Sequence, residues 1–322
     1  MESTMTMGTI PGLELPVSRI FFGTAMPPVL TGEARSLELL DRVLATGINA
    51  FDCARSYGQA ENMLGEWMER RGNRGKVVVL SKCGDIQNGR VKVDRDVIRE
   101  QLTMSLDALR TKVIDLYLLH RDDPNTPVEA LIEAMNAVLE EGHARVIGVS
   151  NWTHQRIEAA NAYAASHGLV GFAVSSPNFG LARQMRDLWG GGCVTVSGPE
   201  NRDARDWYTQ NQMPVIAYSS LGRGFFSGKF AAGDYQAASR ILDEFAVKGY
   251  LYEENMIRLR RAEQLALKYG VTVPEIAMRY AFGSPMNLFA VVSSTSEARL
   301  KANIRAAATP LSQADIDFLE AE

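Results

Sequence analysis

Short apolar, β-branched runs alternate with amphipathic stretches along the whole chain. The runs fall at residues 20–23, 48–52, 77–81, 114–120, 146–150, 172–175, 215–219 and 288–292, and they do not alternate between apolar and polar positions. Strands buried on both faces read this way, as in a parallel sheet covered by helices, so the pattern predicts eight of them. Between the runs the spacing is helical: Val97, Ile98, Leu102, Ser105, Leu106 and Leu109 line one predicted face, and Val128, Leu131, Ile132, Met135, Val138 and Leu139 another. The second of these helices is predicted to open on Thr126 as N-cap, with Pro127 at N1 and Glu129 as a capping-box acid, and to close at Gly142. Gly47 and Gly168 each stand between a helical pattern and the next run, so the connections are short and the unit repeats. Eight strands in a βαβ series close as a barrel, which predicts the α/β class, a (β/α)8 TIM barrel, as a single domain over residues 1–322. An open doubly wound sheet is the competing arrangement. Residues 190–206 and 222–249 read as polar or Gly-rich insertions, the latter covering a site, and a last helical pattern spans 312–319.

Length and composition agree with that picture. A chain of 322 residues accommodates one barrel of about 250 residues with insertions, or two smaller domains. With 46% hydrophobic and 22% charged residues it is globular rather than disordered. The balance of 34 basic against 38 acidic residues lacks the positive excess that binding to a phosphate backbone exploits, which argues against nucleic acid as a partner. The longest apolar runs, 77–80 and 169–174, fall far short of the ~18 residues of a membrane span. Residues 1–15 carry neither the basic nor the apolar region of a signal peptide, so a cytoplasmic location is expected. Cys53, Cys83 and Cys193 show no paired or metal-like spacing and are expected as free thiols. Of the histidines at 120, 143, 154 and 167 only His120 ends a strand, too few for a metal-dependent barrel. His120-Arg121-Asp122 is not a kinase loop either, because Pro127 stands where that loop needs Asn.

Chemistry in a closed α/β barrel sits at the C-terminal ends of the strands. The second run ends in Asp52 and its loop offers Tyr57, Lys82 follows the third run, and His120 ends the fourth. A carboxylate, a phenol, an ammonium and an imidazole at one mouth suit proton transfer to a carbonyl oxygen, the phenol donating and the cation stabilising its anion. A Lys⁺ about 4 Å from the phenol at an effective dielectric of about 20 contributes on the order of 4 kcal/mol, which predicts a Tyr57 pKa lowered by as much as about 3. Asp52 then holds Lys82 charged and oriented, and His120 hydrogen-bonds the carbonyl. Taken singly, each reads as a barrel-mouth ion pair or a satisfied core histidine; only the conjunction points to a site.

The stretch Gly47-Ile-Asn-Ala-Phe-Asp52-Cys-Ala54-Arg-Ser-Tyr57-Gly58-Gln-Ala-Glu61-Asn-Met-Leu64-Gly65 resembles the first signature of the aldo-keto reductase family. The resemblance continues in Leu80-Ser-Lys82, Asp115-Leu-Tyr-Leu-Leu-His120, Gly148-Val-Ser150-Asn151, Ala217-Tyr218-Ser219-Ser-Leu221-Gly222 and Glu297-Ala-Arg299-Leu-Lys-Ala-Asn303, nearly the whole chain. It implies a catalytic tetrad of Asp52, Tyr57, Lys82 and His120, with Tyr57 the general acid in NAD(P)H-dependent reduction of aldehydes or ketones to alcohols, or the reverse. The family holds its nicotinamide dinucleotide without a Rossmann domain, and no G-x-G-x-x-G follows the first run here. The resemblance further implies Ser150 and Asn151 on the carboxamide and Tyr218 stacked on the ring. Ser219, Leu221 and Arg223 fall in the pyrophosphate loop, and Thr24, Asp52, Ser176 and Ser293 complete the cofactor set.

Departures from the family pattern matter. Ser176 replaces the usual Gln, so one carboxamide contact is expected to be shortened or water-mediated; Ser293-Ser294-Thr295 replaces a Pro followed by Lys or Gly, which removes a lysine contact to the adenosine phosphate. Arg299 and Asn303 do match, and a guanidinium on a 2′-phosphate favours NADPH (NADP+) over NADH, although Arg299 also reads as a solvated first-turn helix residue. Substrate-facing positions are expected at Ala25, Met26, Arg121, Asp122, Trp152, Phe225 and Phe226. Such a pocket suits an aldehyde or ketone with an apolar or aromatic body, while Arg121 and Asp122 also admit polyols or sugars. Trp152 reads equally as packing beneath the fifth helix, and Phe225 with Phe226 as anchors of the cofactor loop. The short tail after 312–319 predicts a more open, less selective pocket. Channel-associated β subunits resemble the same family, so a non-catalytic, nicotinamide-binding regulatory subunit is the alternative. The expected partner is a small-molecule carbonyl or alcohol rather than nucleic acid or a membrane, with the oligomeric state left open.

Overall fold

A computed structural model describes residues 5–87 and 90–321; of the lead-in read over residues 1–15, residues 1–4 lie outside the described residues, and of the single domain read over 1–322, residues 1–4, 88–89 and 322 do. The eight strands appear in the predicted order: β1 (Ile20–Gly23), β2 (Ala50–Asp52), β3 (Val78–Cys83), β4 (Ile114–Leu119), β5 (Ala144–Ser150), β6 (Val174–Ser176), β7 (Val215–Ala217) and β8 (Leu288–Val292). Their neighbour order, β6-β7-β8-β1-β2-β3-β4-β5, is that of a closed barrel, the (β/α)8 fold rather than an open sheet. Several strand ends lie a few residues from the predicted bounds. Asn49, predicted inside β2, instead accepts from the Ser18 amide (2.9 Å) and donates to the Pro16 carbonyl (2.8 Å), joining the barrel to a small hairpin, Met7–Gly8 with Val17–Ser18.

Twelve helices accompany the strands among the described residues: α1 (Ser36–Ala45), α2 (Ala60–Arg71), α3 (Arg95–Ala108), α4 (Val128–Glu140), α5 (His154–Ser166), α6 (Arg202–Asn211), α7 (Tyr235–Ile241), α8 (Glu244–Tyr250), α9 (Glu253–Tyr269), α10 (Val273–Phe282), α11 (Glu297–Ala307) and α12 (Gln313–Glu320). None is long and apolar enough to cross a membrane. The predicted capping box of α4 does not form. Pro127 itself takes the N-cap position, and the Thr126 hydroxyl turns away to donate to Asp123 (3.2 Å). The two predicted insertions are partly helical, α6 beginning at Arg202 and α7 with most of α8 falling within residues 222–249.

The chain divides into two compact units. The first comprises residues 7–176 and 293–297 and holds β1 to β6. Its parallel register sets Asp52 level with Gly23 and with Leu80, Lys82 level with Leu118, and Ser150 level with Ser176, so the strand-end polar residues share one rim. Glycine brings β5 and β6 together: a Cβ on Gly148 would lie 2.4 Å from both the Val174 carbonyl oxygen and its Cγ2. Gly148→Ala therefore is expected to destabilise the chain by about 1–3 kcal/mol through forced overpacking. A matching fall in the urea midpoint at unchanged slope checks it. The second unit, residues 5–6, 177–292 and 298–321, holds β7 and β8 with Ala217 level with Ala290. Its α10 opens on a complete capping box between Thr272 and Glu275.

Candidate active site

All four residues of the predicted tetrad lie in the first unit. Lys82 is 3% exposed, and its ammonium donates to Asp52 Oδ1 (2.5 Å) and to the Cys53 carbonyl (2.8 Å). The Asp52 backbone is held in turn, its carbonyl accepting from the Thr24 amide (3.0 Å) and hydroxyl (2.8 Å). The Lys82 ammonium sits 4.9 Å from the centroid of the Tyr57 ring, and the His120 ring meets Tyr57 edge to face at 5.6 Å. The ends of three successive strands and the residues just after them thus deliver a phenol, a cation with its counter-ion and an imidazole to one place.

The electrostatics correct one expectation. Lys82 does pull the Tyr57 pKa down, but burial outweighs it and pushes the phenol up to about 12. The sequence argument counted the cation and left out the low-dielectric surroundings that penalise a phenolate. Burial also works against the Lys82 ammonium, yet the Asp52 carboxylate holds its pKa above the ordinary lysine value, so Lys82 is charged. Burial, then Lys82, pulls His120 well below the usual imidazole range, and Asp85 opposes them. At neutral pH the site therefore contains a neutral phenol, a charged lysine and a neutral imidazole. All three cysteines are free thiols, and burial pushes those of Cys53 and Cys83 up to about 12, as inert groups.

Other predicted residues of the first unit form a connected rim. The Asn151 carboxamide donates to the His120 carbonyl and to Ser150 Oγ (both 3.1 Å), and Ser150 Oγ donates to the Ser176 carbonyl (2.8 Å). Asn151 holds a left-handed backbone (φ 58°), the strained geometry that recurs at ligand sites. Ser293 Oγ donates to the Gly23 carbonyl (2.8 Å), and Thr24 is buried behind Asp52. Ala25 is exposed and Met26 half-buried. Arg121 is buried with its Nε 3.2 Å from Asp85, whereas Asp122 is turned to Arg156 (2.6 Å). Trp152 takes the packing place: it is fully buried, edge-on to Phe172 at 5.5 Å, with the Arg156 guanidinium 5.0 Å from its ring.

In the second unit Tyr218, Ser219 and Leu221 are half-buried, and Ser219 and Arg223 have left-handed backbones (φ 53° and 50°). Arg223 ion-pairs with Asp243 (2.6 Å) and lies over Trp189 (5.5 Å) and Phe245 (5.4 Å). Trp189 also touches Tyr218 (5.9 Å), and its loop is pinned by the Asp187 carboxylate accepting from the amides of Trp189, Gly191 and Cys193. Phe225 is packed against Phe226 (5.3 Å) and Phe230 (5.5 Å), in the loop-anchoring role. Arg299 is exposed on the first turn of α11, and Asn303 is buried one turn later.

Two residues beside His120 escaped the sequence reading. Asp85 Oδ2 lies 3.4 Å and Ser56 Oγ 3.5 Å from His120 Nδ1. The sequence marks only a turn there, by Gly84 just past Lys82, which takes a left-handed backbone (φ 73°) and does not itself announce the Asp85–His120 contact.

A family model described as "Aldo/keto reductase family" matches residues 19–321 of the chain. Among curated relatives, the aldo-keto reductase ausK of Emericella nidulans is 29% identical, covering 88% of this chain and 71% of that protein. The aldo-keto reductase YhdN of Bacillus subtilis is 28% identical over 88% of this chain and 82% of its own length. A probable voltage-gated potassium channel subunit beta of Oryza sativa subsp. japonica is likewise 28% identical, over 83% and 80%.

Proposed function

The chain belongs to the aldo/keto reductase family, and from that premise we propose that it reduces aldehyde or ketone carbonyls to alcohols, or runs the reverse reaction, with NADPH as its cofactor. One observation carries the reading: the Lys82 ammonium, paired to Asp52, lies against the ring of Tyr57, which the His120 ring meets edge to face. A reduced nicotinamide supplies the hydride; the protein must supply the proton. With its pKa near 12, the Tyr57 hydroxyl keeps its proton at neutral pH, yet it is a far stronger acid than an alcohol, which resembles water at about 15.7. Tyr57 then donates its proton to the oxygen as negative charge develops there. Lys82 stabilises the phenolate left behind, and Asp52 keeps that lysine charged and in place. Water returns the proton afterwards.

The residues present fit a nicotinamide dinucleotide in their donor chemistry. Ser150 and Asn151 offer a hydroxyl and a carboxamide beside His120, the complement of a nicotinamide carboxamide. Thr24, Ser176 and Ser293 lie on the same rim; in the second unit Tyr218 supplies a ring, Ser219, Leu221 and Arg223 a turn with a cation, and Arg299 with Asn303 a cation and an amide for a 2′-phosphate. The substrate is assigned to Ala25, Met26 and Arg121. Arg299→Ala is expected to weaken NADPH by about 1.5–3 kcal/mol, roughly 10- to 150-fold, while leaving NADH nearly unchanged. Titration of both nucleotides by fluorescence checks it, and equal losses would remove Arg299 from the phosphate site. The similarity to channel subunits keeps a second reading in view, a nicotinamide-holding regulatory protein; NADPH binding without turnover on any carbonyl would select it.

A further inference from the structure

His120 is approached on its Nδ1 side by a built cluster. The turn after β3 begins at Gly84, whose amide donates to the buried carboxamide of Gln101 on α3 (2.9 Å). A Cβ there would lie 2.6 Å from Val93 Cγ2, and φ is +73°, so glycine is required. The next residue is Asp85. Its Oδ1 accepts from the Ile86 amide (2.8 Å) and from Arg121 Nε (3.2 Å), which leaves Oδ2 aimed at His120 Nδ1 (3.4 Å). Ser56 Oγ, from the loop after β2, comes within 3.5 Å of the same nitrogen. Two hydrogen bonds to Oδ1, on a turn held by Gln101, therefore fix this carboxylate beside one imidazole nitrogen.

We infer that Asp85 is the positioning residue of His120: its carboxylate accepts from Nδ1–H, keeps the proton on that nitrogen and leaves Nε2 as the nitrogen whose protonation changes. An ionised carboxylate only accepts hydrogen bonds, so the nitrogen facing it must carry the hydrogen. Burial works against the Asp85 charge, but His120, Ser56, the Ile86 amide and Arg121 together hold its pKa below the ordinary aspartate value. In the neutral imidazole Nε2 is then a bare acceptor, suited to the hydroxyl of an alcohol substrate. Only the protonated ring donates from Nε2 to a carbonyl oxygen. The groups facing His120 among the described residues are Lys82 on β3, Tyr57 and Ser56 after β2, Arg121 beside it and Asp85. Asp85 is the anion in direct contact, and it raises the His120 pKa where Lys82 and Arg121 lower it.

The inference rests on the proposed oxidoreductase reading for its kinetic test and stands apart from it for its spectroscopic one. Nitrogen-15 NMR of the four histidines, with His120→Asn to assign the signal, is expected to show Nδ1 protonated and Nε2 unprotonated in the full chain at neutral pH. Asp85→Asn keeps an acceptor for Nδ1–H without the charge, so the tautomer persists while the His120 titration moves to lower pH. Asp85→Ala loses the tautomer preference as well. If turnover exists, the acid limb of alcohol oxidation with NADP+, which needs unprotonated Nε2, is expected about one pH unit lower in Asp85→Asn, a roughly tenfold rise in kcat/KM at a fixed pH on that limb. NADPH affinity stays within about twofold. The inference is overturned by an Nε2-protonated His120 in the parent chain, or by a tautomer and titration that neither variant moves. A parent chain with the Nδ1-protonated tautomer and no turnover would sink the reductase reading instead and leave Asp85 in place.

Discussion

Tyr57→Phe is expected to lower kcat for carbonyl reduction by about 10²- to 10⁴-fold, the usual contribution of a positioned general acid. The substitution removes only the hydroxyl, so the ring keeps its edge-to-face contact with His120 and its place over Lys82. NADPH affinity and thermal stability are expected to change little, which separates lost chemistry from lost structure. Single-turnover NADPH oxidation with a saturating aldehyde measures the step. A variant that kept near-parental rates would mean that the proton comes from another group.

The second large effect is on stability. Lys82→Met strands the Asp52 carboxylate, which is 5% exposed and has Lys82 as its ion-pair partner, and is expected to cost about 3–5 kcal/mol. Removing both charges in Lys82→Met with Asp52→Asn is expected to restore much of that loss, because no buried charge then lacks a partner. Urea unfolding of the parent, both single variants and the double closes the cycle. The pH dependence has a defined sign. Folding raises the Lys82 pKa above its reference value of 10.5, so this stabilisation is complete below that pH and is lost as pH rises through the folded value. A double variant no more stable than Lys82→Met would assign the cost to lost lysine packing rather than to the stranded charge.

Much of this was legible because the barrel repeats one local rule. Strands buried on both faces make uninterrupted apolar runs, so all eight appear in order, and in the first unit the polar residues at the strand ends land on one rim. Asp52, Lys82 and His120 follow from that geometry, and Tyr57 from the loop beside them. What could not be read depends on residues distant in sequence. Asp85 is aimed by a turn that Gln101 and Val93 hold, and no periodicity announces such a contact. The sign of the Tyr57 shift turned on burial, which a count of neighbouring charges omits. Trp152 was readable both as a pocket residue and as packing, and its contacts with Arg156 and Phe172 join residues that no periodicity pairs. The α4 cap failed for a local reason, a proline that takes the N-cap position and leaves Thr126 one residue too early.

The central claim is that this chain transfers hydride between a nicotinamide and a carbonyl, with Tyr57 supplying the proton. The purified chain with NADPH deuterated at C4 and a panel of aromatic, aliphatic and sugar aldehydes tests it, with Tyr57→Phe run in parallel and the products weighed by mass spectrometry. The account predicts alcohol carrying one deuterium on the former carbonyl carbon, formed by the parent and reduced at least a hundredfold in the variant. Tight NADPH binding with no labelled alcohol from any aldehyde would contradict it and assign the bound nucleotide to regulation.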